Sequence, residues 1–246
     1  MTDVTGVWVA CPMGLEFRAV AGLLEEAQEV RVASRPLVSG LVEGVPVTVC
    51  RTGWGKAMAA SGAQLLLDRW PGSLLLDVGT CGALSAGLEV GDLFVASRVT
   101  DADLFDSAHL ARYSELRLVD GAGLASLIDE MAGRLGRRPA QGRMLCQDRT
   151  VDSQDERARW ESAGFDAVCW ETFSVAKVAE SNGVAALSVR VVSDRADGAV
   201  VETFQRHRES FLRRLAEAVR TLLVLAGRSE ELEAWHWRHA SATQGT

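Results

Sequence analysis

Apolar runs alternate with amphipathic segments along most of the chain. Runs rich in consecutive apolar residues, such as those at 6–11 and 184–194, are typical of strands that are buried on both faces. Between such runs lie segments whose apolar residues recur at helical spacing. This alternation predicts an α/β protein with three layers (α/β/α), in which helices cover a central, mostly parallel mixed sheet.

The same pattern gives approximate bounds for each element. We predict strands within the ranges 6–11, 37–53, 73–84, 91–106, 141–151 and 184–194, and the second range holds two strands joined by a turn at Glu43-Gly44. We predict helices within 14–27, 55–70, 122–136, 153–163 and 202–227, and a further strand leading into a helix within 165–183. The apolar run at 73–84 is predicted to break into a glycine-rich turn, GTCG, at 79–82.

The length of the chain favours a single large domain. With 246 residues, of which 48% are hydrophobic and 24% charged, the chain has the composition of a globular protein with a sizeable core. No repeat, low-complexity segment or linker interrupts it before residue 228. We therefore predict one domain, 1–227, followed by a C-terminal tail, 228–246.

The charge of the chain narrows the choice of partners. A net charge of -7 and a pI of about 5.2 argue against nucleic acid or an anionic membrane as a main partner. We find no apolar run of the roughly 18 residues that a transmembrane helix needs. The N-terminus also lacks the basic and apolar regions of a signal peptide, so we expect a cytoplasmic protein.

Cysteine and histidine positions indicate neither disulfides nor a metal site. The five cysteines are far apart and form no C-x-x-C pair, which favours reduced thiols in the core. His236 and His239 lie three residues apart, but no acidic or cysteine cluster accompanies them. We therefore predict no metal site.

Polar residues follow several of the predicted strands, at the point where each strand ends. In open α/β sheets, ligands bind at the carboxyl ends of the strands. The residues at such ends include three carboxylates that are well separated in the sequence, Glu16, Glu171 and Asp194, which could converge on one cleft.

Each carboxylate also has a purely structural interpretation. Glu16 fits an exposed position in the first turn of a helix, where a negative charge is favoured. Glu171 fits a cap of the helix that it opens, and Asp194 fits the first residue of a loop. Position alone does not decide between these interpretations and a functional one.

The order of the motifs is more specific than any one of them. The segments are CPMGLE, TGWGKAMAA, DVGTCGALSAGLEVGDLFVAS, DAVCWETFSVAKVA and VRVVSDRAD. In this order they resemble the nucleoside phosphorylase/nucleosidase superfamily, and within it most of all the 5'-methylthioadenosine/S-adenosylhomocysteine nucleosidases and the related futalosine hydrolases. The resemblance spans about residues 5–225, and its most specific parts are the G-[ST]-x-G segment with GLxVGD, the glutamate that opens a helix, and SDxAD.

The resemblance implies cleavage of a purine N-glycosidic bond through a transition state that resembles a ribosyl cation. Asp194, with Ser193 beside it, matches the acid that protonates N7 of the base, a role that needs a raised pKa. Glu171 matches the glutamate that binds the ribose hydroxyls, and Glu16 matches the one that activates the attacking water. The resemblance places further substrate-binding positions at Thr80, Cys81, Gly82, Thr150, Val151 and Trp170.

Some of these positions depart from the family pattern. Trp170 replaces the methionine that usually precedes the glutamate, and Thr150 stands where an aromatic residue usually stacks on the base. Arg195 directly follows Asp194, so a lowered pKa of that carboxyl is an alternative to a raised one. Residues 101–118 are expected to shape the 5' side of the pocket, whose substituent the sequence does not reveal. The resemblance also implies a small-molecule nucleoside as the partner, no cofactor, and a homodimer.

The nucleophile is inferred from one position before the glycine-rich segment. Phosphorylases of this superfamily carry an arginine there, in an R-x-G-[ST]-x-G pattern, whereas this chain has Asp77, which would repel phosphate. We therefore expect water as the nucleophile. Because Arg18 and Arg51 lie near strand ends, a phosphate-dependent phosphorylase stays open as an alternative, and so does a nucleoside-binding paralogue without catalysis.

Overall fold

A computed structural model describes residues 6–105, 114–118 and 122–227. The predicted tail, 228–246, with His236 and His239, lies outside the described residues, as do residues 106–113 of the segment expected to shape the 5' side. Within the described residues there is no helix that is long and apolar enough to cross a membrane.

Ten strands and seven helices make up the described part of the chain. The strands are β1 (Val7–Cys11), β2 (Glu25–Val32), β3 (Arg35–Val42), β4 (Val45–Arg51), β5 (Leu74–Ala83), β6 (Leu93–Asp101), β7 (Glu115–Arg117), β8 (Ala140–Cys146), β9 (Ala167–Cys169) and β10 (Ala185–Asp194). The helices are α1 (Gly14–Ala21), α2 (Gly55–Arg69), α3 (Ala102–Phe105), α4 (Ala122–Leu135), α5 (Gln154–Ser162), α6 (Thr172–Ser181) and α7 (Val200–Ala226).

The sheet is mixed: four parallel strands form its centre, and both parallel and antiparallel pairs extend it. Strands β4, β1, β5 and β10 lie side by side in parallel. Antiparallel strands β3 and β2 extend one side, and β10 pairs antiparallel with β6 on the other. Beyond β6, strands β8 and β9 lead back to β5, so that the sheet closes on itself through β5, β10, β6, β8 and β9.

Helices cover both faces of the sheet, as the alternation of side chains along β1 illustrates. Val7 and Val9 face a cluster that includes residues of α1, α4 and α7. Trp8 and Ala10 face a second cluster, which includes Ala59 and other residues of α2 and α6. Successive strand residues point to opposite faces, so both faces of β1 are apolar because both are covered. The prediction of a three-layer α/β fold with a mixed sheet is confirmed.

The first predicted helix is too long. Residues 14–27 were expected to form it, but α1 ends at Ala21 and the chain turns at Gly22 into β2. Most of β2 is exposed, and it pairs with β3 at the end of the sheet. Its polar sequence, EEAQEVRV, has no strand-like apolar alternation, so pairing with a neighbour rather than local pattern decides its conformation.

The glycine-rich segment at 79–82 is not a turn. Strand β5 runs without a break through Gly79 and Gly82 to Ala83. Its first part pairs with β10, and its last two residues, Gly82 and Ala83, also pair with β9. Because these glycines have no side chains, other groups can pack closely against the backbone of β5. The glycines do not serve to reverse the chain.

Candidate active site

A cavity of about 470 Å³ lies at the carboxyl ends of β1, β5 and β10. All ten site residues that the sequence indicated contribute to its lining: Glu16, Thr80, Cys81, Gly82, Thr150, Val151, Trp170, Glu171, Ser193 and Asp194. They come from distant segments of the chain, and the first and the last of them, Glu16 and Asp194, are 178 positions apart. Their common position is where ligands gather in parallel α/β sheets.

Glu16 is fully buried at the third position of α1. Its Oε2 accepts a hydrogen bond from the backbone N–H of Met13 (2.9 Å), and its Oε1 accepts one from the N–H of Thr80 (2.8 Å). Burial raises the pKa of Glu16 from 4.5 to about 7, against the lowering effect of these N–H groups and of Arg190. The interpretation of Glu16 as an exposed first-turn residue is therefore wrong.

Glu171 precedes α6 but does not cap it with its side chain. Its Oε1 accepts a hydrogen bond from the N–H of Gly55 (3.2 Å), the first residue of α2, and its Oε2 lies 3.3 Å from Arg190 Nη1. Burial raises the pKa of Glu171, whereas Arg190 and the Gly55 N–H act in the opposite direction. The carboxylate thus lies at the positive end of α2, which stabilises its charge.

Asp194 is the last residue of β10, and its carboxyl group is buried. Oδ1 accepts a hydrogen bond from the N–H of Ala196 (2.9 Å), and the hydroxyl of Ser193 donates to Oδ2 (2.8 Å). Burial raises the pKa of Asp194, and the charge of Asp197 adds to this effect, although the two hydrogen bonds oppose it. A carboxyl group in this environment keeps its proton to a higher pH than an ordinary aspartic acid does.

The alternative that Arg195 lowers the pKa of Asp194 is wrong. Arg195 turns away and forms an ion pair with Glu89, at the surface. The direction of the shift at Asp194 is upward. Because neighbouring residues point to opposite sides of an extended chain, adjacency in the sequence did not bring the two charges together.

The glycines of β5 leave room for these side chains. A Cβ atom on Gly79 would lie 3.1 Å from both Arg190 Nη1 and Glu16 Oε1. A Cβ atom on Gly82 would lie 3.0 Å from Asp194 Oδ1. The segment GTCG therefore lets acidic side chains and Arg190 pack directly onto the backbone of β5.

Arg190 is a central residue that the sequence analysis did not assign. It is fully buried within β10, and its Nη2 forms an ion pair with Asp77 Oδ1 (2.8 Å). A signal was present in the sequence, because an arginine inside one apolar strand and an aspartate inside another require buried partners. Their pairing across more than a hundred positions was not visible locally.

Asp77 does not lie in the position that the sequence predicts for it. It was expected to face the nucleophile and to repel phosphate, but it does not contribute to the lining of the cavity. Its carboxylate is bound by Arg190, Ser188 and Thr172. Arg18 and Arg51 are exposed and do not belong to the lining either, whereas Arg190 and Arg208 do.

The remaining walls of the cavity are mostly apolar. Trp170 meets Trp54 edge to face, with ring centroids 6.3 Å apart, and Trp54 is 63% exposed. Val151 is buried beside Thr150, and α7 supplies further residues that no motif indicated. These residues of α7 are Val200, Val201, Phe204, Gln205 and Arg208.

The thiols and metal-binding side chains of the described residues do not form a further centre. All five cysteines are buried and free, and burial raises the pKa of Cys81, which lies in the cavity lining. Among the residues described by the structure, no group of three His, Cys, Asp or Glu side chains could hold a metal ion. The ionisable groups of the described lining are therefore chiefly three carboxyl groups, of Glu16, Glu171 and Asp194, and two guanidinium groups, of Arg190 and Arg208.

Comparison with known proteins places the chain among enzymes with this architecture. The profile of the phosphorylase superfamily matches residues 7–224. The 5'-methylthioadenosine/S-adenosylhomocysteine nucleosidase of Actinobacillus succinogenes is 28% identical over 201 residues, which cover 78% of this chain and 87% of that protein.

Solved structures agree with the fold. The S-adenosylhomocysteine nucleosidase of Streptococcus pyogenes, in complex with 5-methylthiotubericidin, has a TM-score of 0.81 at 21% identity and covers 91% of this chain and 97% of its own. The futalosine hydrolase of Helicobacter pylori has a TM-score of 0.80 at 21% identity, with 90% and 98% covered. The resemblance stated from the sequence motifs is confirmed.

Proposed function

The chain belongs to the phosphorylase superfamily, and on that premise we propose that it is a nucleosidase, which hydrolyses the N-glycosidic bond of a 5'-modified purine nucleoside and releases the base. The observation that carries this proposal is the convergence of Glu16, Glu171 and Asp194 in one cavity, each buried and each with a raised pKa. The names of the similar proteins supply the substrate class, of either the methylthioadenosine/S-adenosylhomocysteine or the futalosine type.

Asp194 is the proposed general acid. A purine leaves readily only after N7 has been protonated, so the acid must hold a proton at the pH of the reaction. Burial of Asp194 favours its neutral form, and Ser193 and Ala196 fix both carboxyl oxygens. In the proposed step, the proton passes from Asp194 to N7 while the C1'–N9 bond breaks, and both bonding electrons go to the base.

Glu16 is the proposed general base. Its two oxygens are fixed by backbone N–H groups from α1 and β5, and its pKa of about 7 matches the task of taking a proton at neutral pH. In the proposed step, water attacks C1' and Glu16 accepts the proton that the water loses. The proposed base thus lies on α1, whereas the proposed acid lies at the end of β10, and the two have different hydrogen-bond partners.

Glu171 is the proposed ligand of the ribose hydroxyls. Its negative charge also stabilises the positive charge that develops on the sugar in the transition state. The N–H of Gly55 and the guanidinium of Arg190 each occupy one of its oxygens and hold the carboxylate in place. Thr80, Cys81, Gly82 and Ser193 complete this side of the proposed binding site.

Water is favoured over phosphate by the charges in the cavity lining. Arg190 is already bound by Asp77 and Glu171, which leaves Arg208 on α7 as the other arginine in the described lining. A phosphate dianion placed at Glu16 would meet a carboxylate, and the arginine beside Glu16, Arg190, is already paired with Asp77 and Glu171. Asp77 itself would not meet a phosphate in the cavity, because it does not contribute to the described lining.

The product of the reaction tests the proposal directly. The protein is incubated with methylthioadenosine, S-adenosylhomocysteine, futalosine, aminodeoxyfutalosine, adenosine and inosine, each with and without phosphate. Chromatography then measures free base and sugar product. We expect one 5'-modified nucleoside to release its base without phosphate, at a rate that phosphate does not raise.

Two other outcomes would replace the proposal. Base release that requires phosphate and yields a ribose 1-phosphate would identify a phosphorylase. Binding of a nucleoside without turnover, measured by calorimetry, would identify a nucleoside-binding paralogue. Glu16→Gln and Asp194→Asn variants with near wild-type rates would exclude the assigned roles even if the base is released.

We also propose that the protein is a homodimer. Trp54 and Met58, at the start of α2, are 63% and 43% exposed, so an apolar surface continues outwards from the rim of the cavity. Burial of these side chains against a second copy would remove apolar area from water. Light scattering after size-exclusion chromatography would give twice the mass of the 26.5 kDa chain, whereas a mass of one chain would exclude the dimer.

A further inference from the structure

Three carboxylates surround Arg190, which lies in the wall of the cavity. Arg190 contacts Asp77 with Nε (3.1 Å) and with Nη2 (2.8 and 2.9 Å). Its Nη1 donates to the backbone oxygen of Thr80 (2.8 Å) and lies 3.3 Å from Glu171 Oε2. Nη1 and Glu16 Oε1 also lie on the same side of Gly79, since both would be 3.1 Å from a Cβ atom there.

Asp77 takes part in this cluster without facing the cavity. Besides Arg190, its Oδ2 accepts hydrogen bonds from the hydroxyls of Thr172 (2.6 Å) and Ser188 (2.7 Å). Asp77, Ser188 and Arg190 are all buried in adjacent strands. Asp77 therefore has a fixed position and cannot touch a substrate that occupies the cavity.

We propose that Asp77 is a positioning residue for the proposed reaction and that it acts through Arg190. Its carboxylate holds one edge of the guanidinium, so that Nη1 supports Glu171 and Thr80. It also offsets the positive charge that Arg190 exerts on Glu16. This inference rests on the proposed function for its catalytic meaning. The contacts on which the inference depends lie within the protein and do not involve a substrate.

The geometry explains why the arginine needs a partner on its far edge. A guanidinium group is a planar fork whose edges bind carboxylates in two parallel contacts. Asp77 occupies the edge formed by Nε and Nη2, which leaves Nη1 as the donor that faces Thr80 and Glu171. Without a carboxylate at position 77, the same edge would be free to turn towards Glu171 or Glu16.

The balance of charge explains the effect on Glu16. The charged or titratable groups that interact with Glu16 are Cys11 on β1, Glu171 before α6 and Arg190 on β10. Asp77 on β5 binds the same Arg190 from its other edge. When Asp77 and Glu171 are ionised against the single charge of Arg190, ionisation of Glu16 adds a second net negative charge. Burial raises the pKa of Glu16 to about 7, Glu171 adds to this rise, and Arg190 opposes it. Because Asp77 forms an ion pair with Arg190, it offsets the charge by which the arginine favours ionised Glu16.

The test compares Asp77→Asn with the wild-type protein. The amide keeps the shape of the carboxylate but removes its negative charge. The positive charge of Arg190 is then no longer offset, which favours the ionised form of Glu16. We expect the rise of kcat/KM with pH to shift its midpoint down by roughly one pH unit, because the charge of Arg190, which lowers the pKa of Glu16, is no longer offset by Asp77. The expected change in KM is small, because Asp77 does not touch the substrate.

Ser188→Ala is the matched control. It removes a hydrogen bond to the same carboxylate oxygen but leaves the charges of Asp77 and Arg190 unchanged. We expect its midpoint to equal that of the wild type. If Ser188→Ala shifts the midpoint as far as Asp77→Asn does, or if neither shifts it, the inference is overturned.

A measurement without turnover separates this inference from the proposed function. With ¹³C-labelled glutamate, the carboxyl signal of Glu16, assigned by its absence in Glu16→Gln, can be titrated in wild type and in Asp77→Asn. A lower midpoint in Asp77→Asn supports the inference even if no nucleoside is hydrolysed. An unchanged midpoint overturns it even if the protein proves to be a nucleosidase.

A double variant covers the case in which Asp77→Asn does not fold. Asp77→Asn combined with Arg190→Gln replaces the ion pair by a neutral amide pair with the same net charge. We expect the Glu16 midpoint to rise, because Glu16 loses the charge of Arg190 that lowers its pKa, and KM to rise because Glu171 loses its arginine. A midpoint below that of the wild type would contradict the inference, because Asp77 would then act on Glu16 without Arg190.

Discussion

At the scale of single residues, the site shows how environment separates three similar side chains. Glu16, Glu171 and Asp194 share the effect of burial, which raises the pKa of each. Their partners differ, because Glu16 is bound by backbone N–H groups, Glu171 by Arg190 and a helix N-terminus, and Asp194 by Ser193 and Ala196. These partners, more than the residue type, support the distinct roles that we propose.

The first prediction concerns the proposed acid. Asp194→Asn keeps the hydrogen bond from Ala196 but cannot deliver a proton to the base, so we expect base release to fall by roughly 10²- to 10⁴-fold. Asp68→Asn, an exposed position on α2, is the matched control and should retain the wild-type rate. Comparable rates for the two variants in a base-release assay would exclude Asp194 as the acid.

The second prediction concerns the stability of the protein as a function of pH. The folded state holds the proton of Glu16 up to about pH 7, whereas the ordinary pKa is 4.5, so the folded state binds more protons in this window. The free energy of unfolding must therefore decrease as the pH rises from about 4.5 to 7, by on the order of 3 kcal/mol from this group.

Glu16→Gln removes this contribution and leaves the others in place. Urea unfolding at pH 5 and pH 8 measures it as the difference between the wild type and the variant. We expect the wild type to lose more stability than Glu16→Gln between these pH values. Equal losses in the two proteins would show that Glu16 has an ordinary pKa.

At the scale of elements, β5 is the strand that organises the site. It pairs with β1 and β10 along its first part and with β9 at its end, so the ring of strands closes on it. Its glycines let Glu16 and Arg190 approach at Gly79, and Asp194 at Gly82. The strand therefore acts as a flat surface against which side chains from α1 and β10 are placed.

The third prediction follows from the close approach at Gly79. Gly79→Ala would place a methyl group 3.1 Å from Arg190 Nη1 and from Glu16 Oε1, so at least one of these groups must move. We expect a loss of about 1–3 kcal/mol in stability and a reduction in kcat/KM of at least roughly tenfold.

Gly133→Ala provides the comparison for Gly79→Ala. Gly133 is exposed on α4 and has open space around its Cβ position, so alanine should stabilise the helix by about 0.5–1 kcal/mol without an effect on turnover. Thermal unfolding and base-release rates on both variants check this pair. Full activity of Gly79→Ala would mean that Glu16 and Arg190 tolerate displacement.

At the scale of the whole molecule, the cavity forms at the carboxyl ends of β1, β5 and β10, and the first part of α7 lines it. The carboxyl groups come from α1, from the residue before α6 and from the end of β10, and α7 supplies apolar wall residues such as Phe204. Helices on both faces bury the strands that carry the charged cluster. A ligand in the cavity would therefore contact several elements at once and stabilise the fold as a unit.

The fourth prediction uses this coupling between binding and folding. The Asp194→Asn variant, saturated with the nucleoside that the product assay identifies, should unfold at a higher temperature. At a ligand concentration of 100 times Kd, the gain is about 2.7 kcal/mol, or roughly 5–10 °C for a chain of this size. Cytidine at the same concentration is the control, and an equal shift with cytidine would argue against a purine site.

The sequence by itself determined the fold class, most elements and the segments that meet in the cavity. Apolar periodicity is a local property, so strands such as β1 and helices such as α2 could be predicted from their own residues. Motif order then indicated all ten residues that the structure brings to the lining. The roles of these residues stay predictions.

Only the tertiary structure decided which distant groups become partners. Strand β2 exists because β3 offers it hydrogen bonds, and GTCG is part of a strand because β10 and β9 pair with it. The ion pair of Asp77 with Arg190 and the contact of Gly55 with Glu171 join residues more than a hundred positions apart. Such contacts depend on strand order and on the closure of the sheet, and a pattern of neighbouring residues along the chain does not encode them.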